Sequence, residues 1–181
     1  MPFVSVDNYA GARLVTEHLI ERGARRLIHI AGPASNRDAA ERQRGFCDVV
    51  RERLGEPAGA IIPGTFREAA GRAAARQLLA DGLPCDAVFA GNDMMAVDLM
   101  SELNGAGVAV GRDVLVAGFD DIPLARYVSP QLTTVHSDIA RLGSIGAQMV
   151  LSILEGEDPA EIPGLTISPT LAIRGSTGGR A

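Results

Sequence analysis

No lysine and no long apolar run occur in this 181-residue sequence, and cysteine appears only twice. Each shortage excludes something. All 17 basic residues are arginine, which points to genomic base composition before function, and 22 acidic residues leave a formal net charge of −5. That charge is spread along the chain without a basic stripe, so these residues are poor candidates for touching nucleic acid directly. Cys47 and Cys85 lie far apart and form no CxxC pair. A reduced, cytoplasmic setting is the simpler expectation, with both thiols as small buried apolar groups. His18, His29 and His136 have no metal-ligand spacing, so packing or surface roles are expected of them. Nothing approaches the ~20 consecutive apolar residues that span a bilayer. The opening "MPFVSVDNYAGARL" has neither the basic start nor the apolar core of a secretory signal. A soluble protein without membrane association is expected. Enzyme signatures are missing too: there is no GxGxxG after a strand, no phosphate-binding loop, no GxSxG elbow and no HExxH. No cofactor and no catalysis are expected.

What is present is an ordinary globular balance, 46% hydrophobic and 22% charged, in a chain long enough to bury a real core. Apolar residues recur at helical spacing from about Asn8 to Glu21, with Asp7 or Asn8 able to cap and Gly23 to stop the helix. "RLIHIAGP" (26–33), "GAIIPG" (59–64), "DAVFAGND" (86–93) and "DVLVAGFDD" (113–121) are strands. Helices fill the gaps, over about 39–53, 67–82 and 94–107, and a last one runs over about 138–155. The strands are continuous apolar runs alternating with helices, which calls for an α/β, doubly wound parallel sheet covered on both faces. Ligands of such sheets bind outside the carboxyl ends of the strands. Here those ends are Gly32-Pro33, Gly64-Thr65, Gly91-Asn92-Asp93 and Phe119-Asp120-Asp121. The glycine-rich tail "GSTGGRA" is expected to fray.

Three polar groups at those ends invite a functional explanation. In "GND" (91–93), Asn92 or Asp93 can simply cap the helix that follows. Alternatively Asp93 caps while the Asn92 amide, able to donate and accept, faces a crevice. In "FDD" (119–121) one aspartate suffices as a cap before "IPLARY", leaving the other surplus; Asp120, first out of the strand, is the candidate ligand contact. Arg42 lies one turn before Phe46 and can lean toward the strand ends, whereas Arg44 belongs to a solvated face. An arginine fork beside an aspartate and an asparagine makes a site for a polar small molecule.

The set "VDNYAGARLVTEHLIERGARRLIHIAGP", "RQRGF", "VFAGNDMMAVDLMSEL", "VLVAGFDDIPLARYVSPQLTTV" and "PTLAIRGST", in order over nearly the whole chain, resembles the lactose-repressor/galactose-repressor (LacI/GalR) family of bacterial transcription regulators. The resemblance implies a periplasmic-binding-protein-like effector domain in which Arg42, Asn92 and Asp120 contact a sugar-like effector. It places Val97 and Tyr127 in a homodimer interface, and it puts Ser137 where some members carry a cleft-lining glutamine. It also implies that the chain begins where the family's second lobe begins. About 7–135 and 165–174 would form the C-terminal lobe, with the helix in about 136–160 belonging to a truncated N-terminal lobe. Operator DNA would be reached only through an upstream helix-turn-helix that these residues lack. The function so implied is the effector-binding core of a repressor. The alternatives are a periplasmic or membrane-associated sugar receptor and an enzyme on the same fold.

One apolar stripe needs a cover. Ile139, Leu142, Ile145, Met149 and Ile153 recur at three- or four-residue steps along the last helix. A partner subunit, a swapped helix or the chain's own sheet must take it, and a homodimer that buries it is expected.

Overall fold

The computed structural model describes residues 2–55 and 60–178. In chain order the elements are β1 (Val4–Val6), α1 (Asn8–Glu21), β2 (Leu27–Ile30), α2 (Arg37–Leu54), β3 (Ala60–Ile62), α3 (Glu68–Ala80), β4 (Ala87–Ala90) and α4 (Asp93–Gly105). Then follow β5 (Leu115–Asp120), a 3-10 turn (Pro123–Arg126), β6 (Thr133–His136), α5 (Ile139–Leu154), β7 (Leu165–Ile167), β8 (Thr170–Ala172) and a second 3-10 turn (Gly175–Thr177).

Six strands form the main sheet in the order β3-β2-β4-β5-β6-β8, parallel except for the antiparallel edge strand β8. β2, β4 and most of β5 are fully buried because both faces are covered. On one face α1 and α2 bury Ala12, Val15, Leu19, Phe46 and Val49 against Phe89 and Phe119. On the other, α3 and α4 bury Ala75, Leu78, Met95, Leu99 and Leu103 against Val88 and Val116. The expected doubly wound sheet is therefore present. The chain winds outward in opposite directions from β2 and β4, so the topological switch point lies between their carboxyl ends.

One close approach between helices depends on glycine. A Cβ on Gly71 of α3 would lie 2.0 Å from the Met95 carbonyl oxygen of α4, a backbone atom that cannot swing aside. Gly71→Ala should therefore push the two helices apart at a cost of about 1–3 kcal/mol, lowering the urea midpoint without changing its slope. An unchanged midpoint would mean that the helices have slack at this contact. Helix ends follow the sequence: Asp7 caps α1 by accepting from Ala10 N, Asn36 caps α2, and Gly55 closes α2 at φ 69°.

Residues 165–174 contain two strands in different sheets: β7 pairs parallel with β1, and β8 joins the main sheet. Two expectations need correction. The tail does not fray over 175–178. Thr133 N donates to Ser176 Oγ at 2.8 Å, the Ser176 hydroxyl donates to the Val116 carbonyl at 2.7 Å, and Thr177 Oγ1 meets both His18 Nε2 and Thr133 Oγ1 at 2.8 Å. Residues 179–181 of that tail and Gly59 of the expected "GAIIPG" strand lie outside the described residues. Cys85 is buried as expected, with burial raising its thiol to about 11, but Cys47 is only half-buried. Among the described residues no helix is long and apolar enough to cross a membrane, and no cluster of potential metal ligands exists.

α5, β1 and β7 stand apart as a small layer beside the main sheet. The expected stripe is half-buried at Leu142, Ile145, Met149 and Ile153, while Ile139, Val150, Leu151 and Leu154 are exposed. The chain's own small layer thus takes part of the cover that the stripe requires. Three short segments connect that layer to the main sheet: Asp7, Ser137-Asp138 and Ser168-Pro169.

Candidate functional site

Arg42 projects from α2 over the switch point, and it is buried. Its Nε donates to Asn8 Oδ1 at 2.8 Å, one terminal nitrogen donates to the Gly91 carbonyl, and the other meets Asp120 Oδ1 at 3.4 Å. The guanidinium lies 3.6 Å from the Phe119 ring centroid and 5.5 Å from that of Phe66. Planar charge against an aromatic face is a favourable use of arginine, which is more weakly hydrated than lysine. Burial lowers its pKa, with Asp120 opposing, yet an arginine remains charged. The position follows from the sequence: Phe46, one turn on, is fully buried beneath α2 and turns the Arg42 face of the helix toward the sheet.

Asp120 ends β5 with its side chain 31% exposed, against 10% for that of Arg42. Burial raises its carboxyl above the usual range and Arg42 pulls it back. Both Asp120 (φ 114°) and Asp121 (φ 54°) occupy left-handed backbone that side-chain-bearing residues rarely adopt. The structure thus brings Arg42 and Asp120 into contact at the crevice, and Asn92 follows directly on the Gly91 carbonyl that Arg42 holds.

Of the two readings of Gly91-Asn92-Asp93, the structure takes the simple cap, by Asn92. Asn92, not Asp93, caps α4: its Oδ1 accepts from Met95 N at 3.0 Å, and its Nδ2 donates to the Phe66 carbonyl at 2.9 Å. Half-buried, it keeps a second amide hydrogen and a lone pair for other partners. Asp93 is wholly buried and accepts from Ile122 N and the Thr134 hydroxyl. Nor does Asp121 cap the turn after β5, whose first residue has no side-chain cap. Its side chain, only 4% exposed, accepts from Arg174 at 2.6 Å, His136 Nδ1 at 3.0 Å and Arg126 at 3.5 Å. Arg44 is exposed as expected, paired with Glu41 and lying over Tyr9.

Sequence reasoning missed Asn8 and Phe66. Asn8 orients the Arg42 fork, and Phe66, at φ 63°, fills the space above Gly32, where a Cβ would lie 2.2 Å from its ring. Neither has a local signal, since their partners lie 34 and 26 residues away. Ser137 is buried with no hydrogen-bond partner for its hydroxyl among the described residues. His29 is stacked between Phe46 and Phe89, and burial lowers its pKa to about 4, so it is neutral. Beside the site, a crevice of about 440 Å³ between β1 and the first turn of α2 is lined by Ser5, Asn8, Arg37, Asp38, Glu41 and Thr166. Arg42, Asn92 and Asp120 do not line it; Arg42 is joined to it through its bond to Asn8. Val97 is half-buried on α4 beside a groove shared with Met100, Asn104 and Val128, and the neighbouring Tyr127 is 83% exposed.

A doubly wound lobe with a buried arginine, an asparagine and an aspartate gathered at the carboxyl ends of its strands fits one class: a periplasmic-binding-protein-like domain. A family model described as "Periplasmic binding protein-like domain" matches residues 16–177. The chain belongs to that family, as an effector-binding domain of the lactose-repressor/galactose-repressor (LacI/GalR) kind. It is 34% identical to the ribose operon repressor of Halalkalibacterium halodurans over 99% of this chain and 53% of that protein. With the regulator GalS of Salmonella typhimurium it shares 37% identity over 82% of this chain and 44% of that protein. Among solved structures, a complex of the transcriptional regulator CelR with cellobiose superposes at a TM-score of 0.90 and 32% identity, over 97% of this chain and 54% of that one. A LacI family regulator from Enterococcus faecalis with bound ribose superposes at 0.88 and 28% identity, over 97% and 63%. The chain spans about half the length of the curated relatives it matches.

Proposed function

We propose that this chain is the effector-binding core of a DNA-binding transcriptional regulator, a repressor, whose crevice holds a sugar-like small molecule. The observation that carries the proposal is the buried Arg42 fork, held by Asn8 and the Gly91 carbonyl, with the part-exposed Asp120 against its other terminal nitrogen and Asn92 next after Gly91. Donors and acceptors held at fixed angles suit vicinal hydroxyls, each of which donates and accepts. The relatives named as ribose operon repressors and the ribose and cellobiose complexes support the sugar class. The chemistry is binding; no bond is made or broken. In the intact protein, effector would favour one arrangement of the two lobes and so change operator affinity, a coupling between distant sites.

On this reading residues 8–136 and 170–178 are one lobe, and α5 with β1 and β7 belongs to the second. Support comes from the separate two-stranded sheet and the three short connections. The exposed Tyr127 beside the Val97 groove fits a homodimer contact, as the lac repressor dimer among the similar structures suggests. Operator contact belongs to a helix-turn-helix outside these 181 residues. Calorimetry with D-ribose, D-galactose and cellobiose tests the proposal. One of the three should bind in the micromolar to millimolar range, ~4–8 kcal/mol. Heat indistinguishable from dilution for all three, with the chain folded, would overturn the sugar assignment.

A further inference from the structure

The groups that hold the end of β5 in place are not the ones expected to touch a ligand. Asp120 and Asp121 are two successive side-chain-bearing residues in left-handed backbone, a conformation that persists only where the surroundings impose it. Beside the pairs that Asp120 makes with Arg42 and Asp121 with Arg174, one further carboxylate holds the backbone of this turn. Asp93 Oδ2 accepts from Ile122 N at 2.9 Å, and Asp93 Oδ1 accepts from the Thr134 hydroxyl at 2.5 Å. Thr134 Oγ1 in turn accepts from Asp121 N at 3.4 Å. Two consecutive amides after Asp120 are therefore held by Asp93, one directly and one through Thr134. The carboxylate has no exposure, so water cannot replace either bond. Gly118 makes the room: a Cβ there would lie 2.2 Å from Asp93 Oδ1. Asp93 is the first residue of α4, directly after the Asn92 cap, so the bonds it accepts tie the end of β5 to the start of that helix.

We propose that Asp93 is a positioning residue of the effector site, its buried carboxylate setting the 120–122 turn that presents Asp120 to the ligand beside Arg42. The proposal rests on the effector-binding reading given above. Asp93 touches no ligand itself; it acts through the turn. The charged groups that face it are Asp120 and Asp121 from the turn and Arg42 from α2, while His136 on β6 and Arg174 after β8 are occupied by Asp121. Burial pushes the Asp93 carboxyl up to about 7; Thr134 and Ile122 oppose this, and Asp120 and Asp121 add to it. Above that pH both oxygens accept. Below it, one oxygen carries a proton and the Thr134 hydroxyl must turn away, which loosens the hold on Asp121 N.

The test combines calorimetry on the whole chain with D-ribose, D-galactose and cellobiose, from about pH 6 to pH 8.5, and amide spectra of Asp121 and Ile122 by NMR. In the wild type, affinity for the bound sugar should rise as pH passes through about 7. Asp93→Ala should bind at least about tenfold more weakly. Asp93→Asn keeps an acceptor for Ile122 N and the shape of the side chain, so it should fold and bind, with no pH dependence. Thr134→Val, nearly isosteric, should move the Asp121 amide and spare that of Ile122. If Asp93→Ala does not fold, the other two variants decide the matter. Affinities within twofold of wild type in Asp93→Asn and Asp93→Ala, or a wild-type pH profile in Asp93→Asn, would overturn the proposal. If the wild type binds none of the sugars, it is the functional reading that fails. The amides then still decide the positioning role, and unmoved Asp121 and Ile122 signals in Asp93→Asn and Thr134→Val would end it.

Discussion

Arg42→Ala should weaken sugar binding about ten- to a hundredfold, roughly 1.4–2.8 kcal/mol, and should lower the melting temperature as well. The first effect follows from losing a charged donor at the open side of the crevice, worth about 1.5–3 kcal/mol for each hydrogen bond to ligand. The second follows from burial. A side chain at the cleft edge, as the sequence alone suggests, could be truncated with little effect on stability. The structure instead buries Arg42 under Phe119, with Asn8 Oδ1 and the Gly91 carbonyl as its acceptors. Alanine leaves both without a donor, at about 1–3 kcal/mol for each buried acceptor. The expected loss of about 2–6 kcal/mol corresponds to at least several degrees in a chain of this length. Asp120→Asn supplies the contrast. Its carboxylate is 31% exposed and sits in left-handed backbone, which asparagine tolerates at least as well. Affinity should fall while the melting temperature holds or rises. Calorimetry and thermal unfolding of both variants check this, and an Arg42→Ala protein that melts with the wild type while keeping its affinity would remove Arg42 from site and scaffold alike.

How far the sequence could be read depended on the range over which each feature acts. Strands such as β2 and β4 announce themselves because residues buried on both faces must be apolar in sequence. Their carboxyl ends then follow, and with them the neighbourhood of Arg42, Asn92 and Asp120. Roles at those ends were harder to assign. Asn92 and Asp93 are both good caps, and only the Phe66 carbonyl, Ile122 N and Thr134, residues 26 to 41 positions away, decide which one caps and which one braces the turn. The tail misleads by composition. Glycine and hydroxyl residues look flexible, yet Ser176 and Thr177 supply the hydroxyls that Thr133, Val116 and His18 need in a buried place. β7 and β8 read as one segment because both are apolar; the Ser168-Pro169 step between them sends the chain from one sheet to the other.

Asp121→Ala should also damage the fold strongly. The carboxylate, 4% exposed, joins three segments: it receives Arg174 from the chain after β8, His136 from the end of β6, and Arg126 from the turn after β5. Arg126 and His136 are 62% and 45% exposed and screened by water, so their contacts contribute little. Arg174 is different. It is 13% exposed, and its other terminal nitrogen donates to the Leu132 carbonyl, so it cannot swing out to solvent without breaking that bond too. Removing one partner of a buried pair costs about 3–5 kcal/mol, because the other charge is left uncompensated. The Leu132 bond places this case toward the lower end, a fall of roughly 6–12 °C in melting temperature at about 2–4 °C per kcal/mol. Replacing both partners, Asp121→Asn with Arg174→Met, should restore part of the loss, since no lone buried charge remains. The same pair fixes the acid limb of the stability curve. Burial alone would raise the Asp121 carboxyl, but Arg174, followed by His136 and Arg126, holds it below the usual range. The unfolded chain, near the ordinary value of ~3.9, therefore takes up a proton before the folded chain does. The stabilisation is complete above that value and is lost as pH falls through the folded one. Asp121→Ala should accordingly be less stable than the wild type at pH 7, and the gap should close below about pH 4. Parallel stability curves down to about pH 3, or a neutral-pH melting temperature within a degree of wild type, would show that the main sheet holds β8 and the tail without this carboxylate.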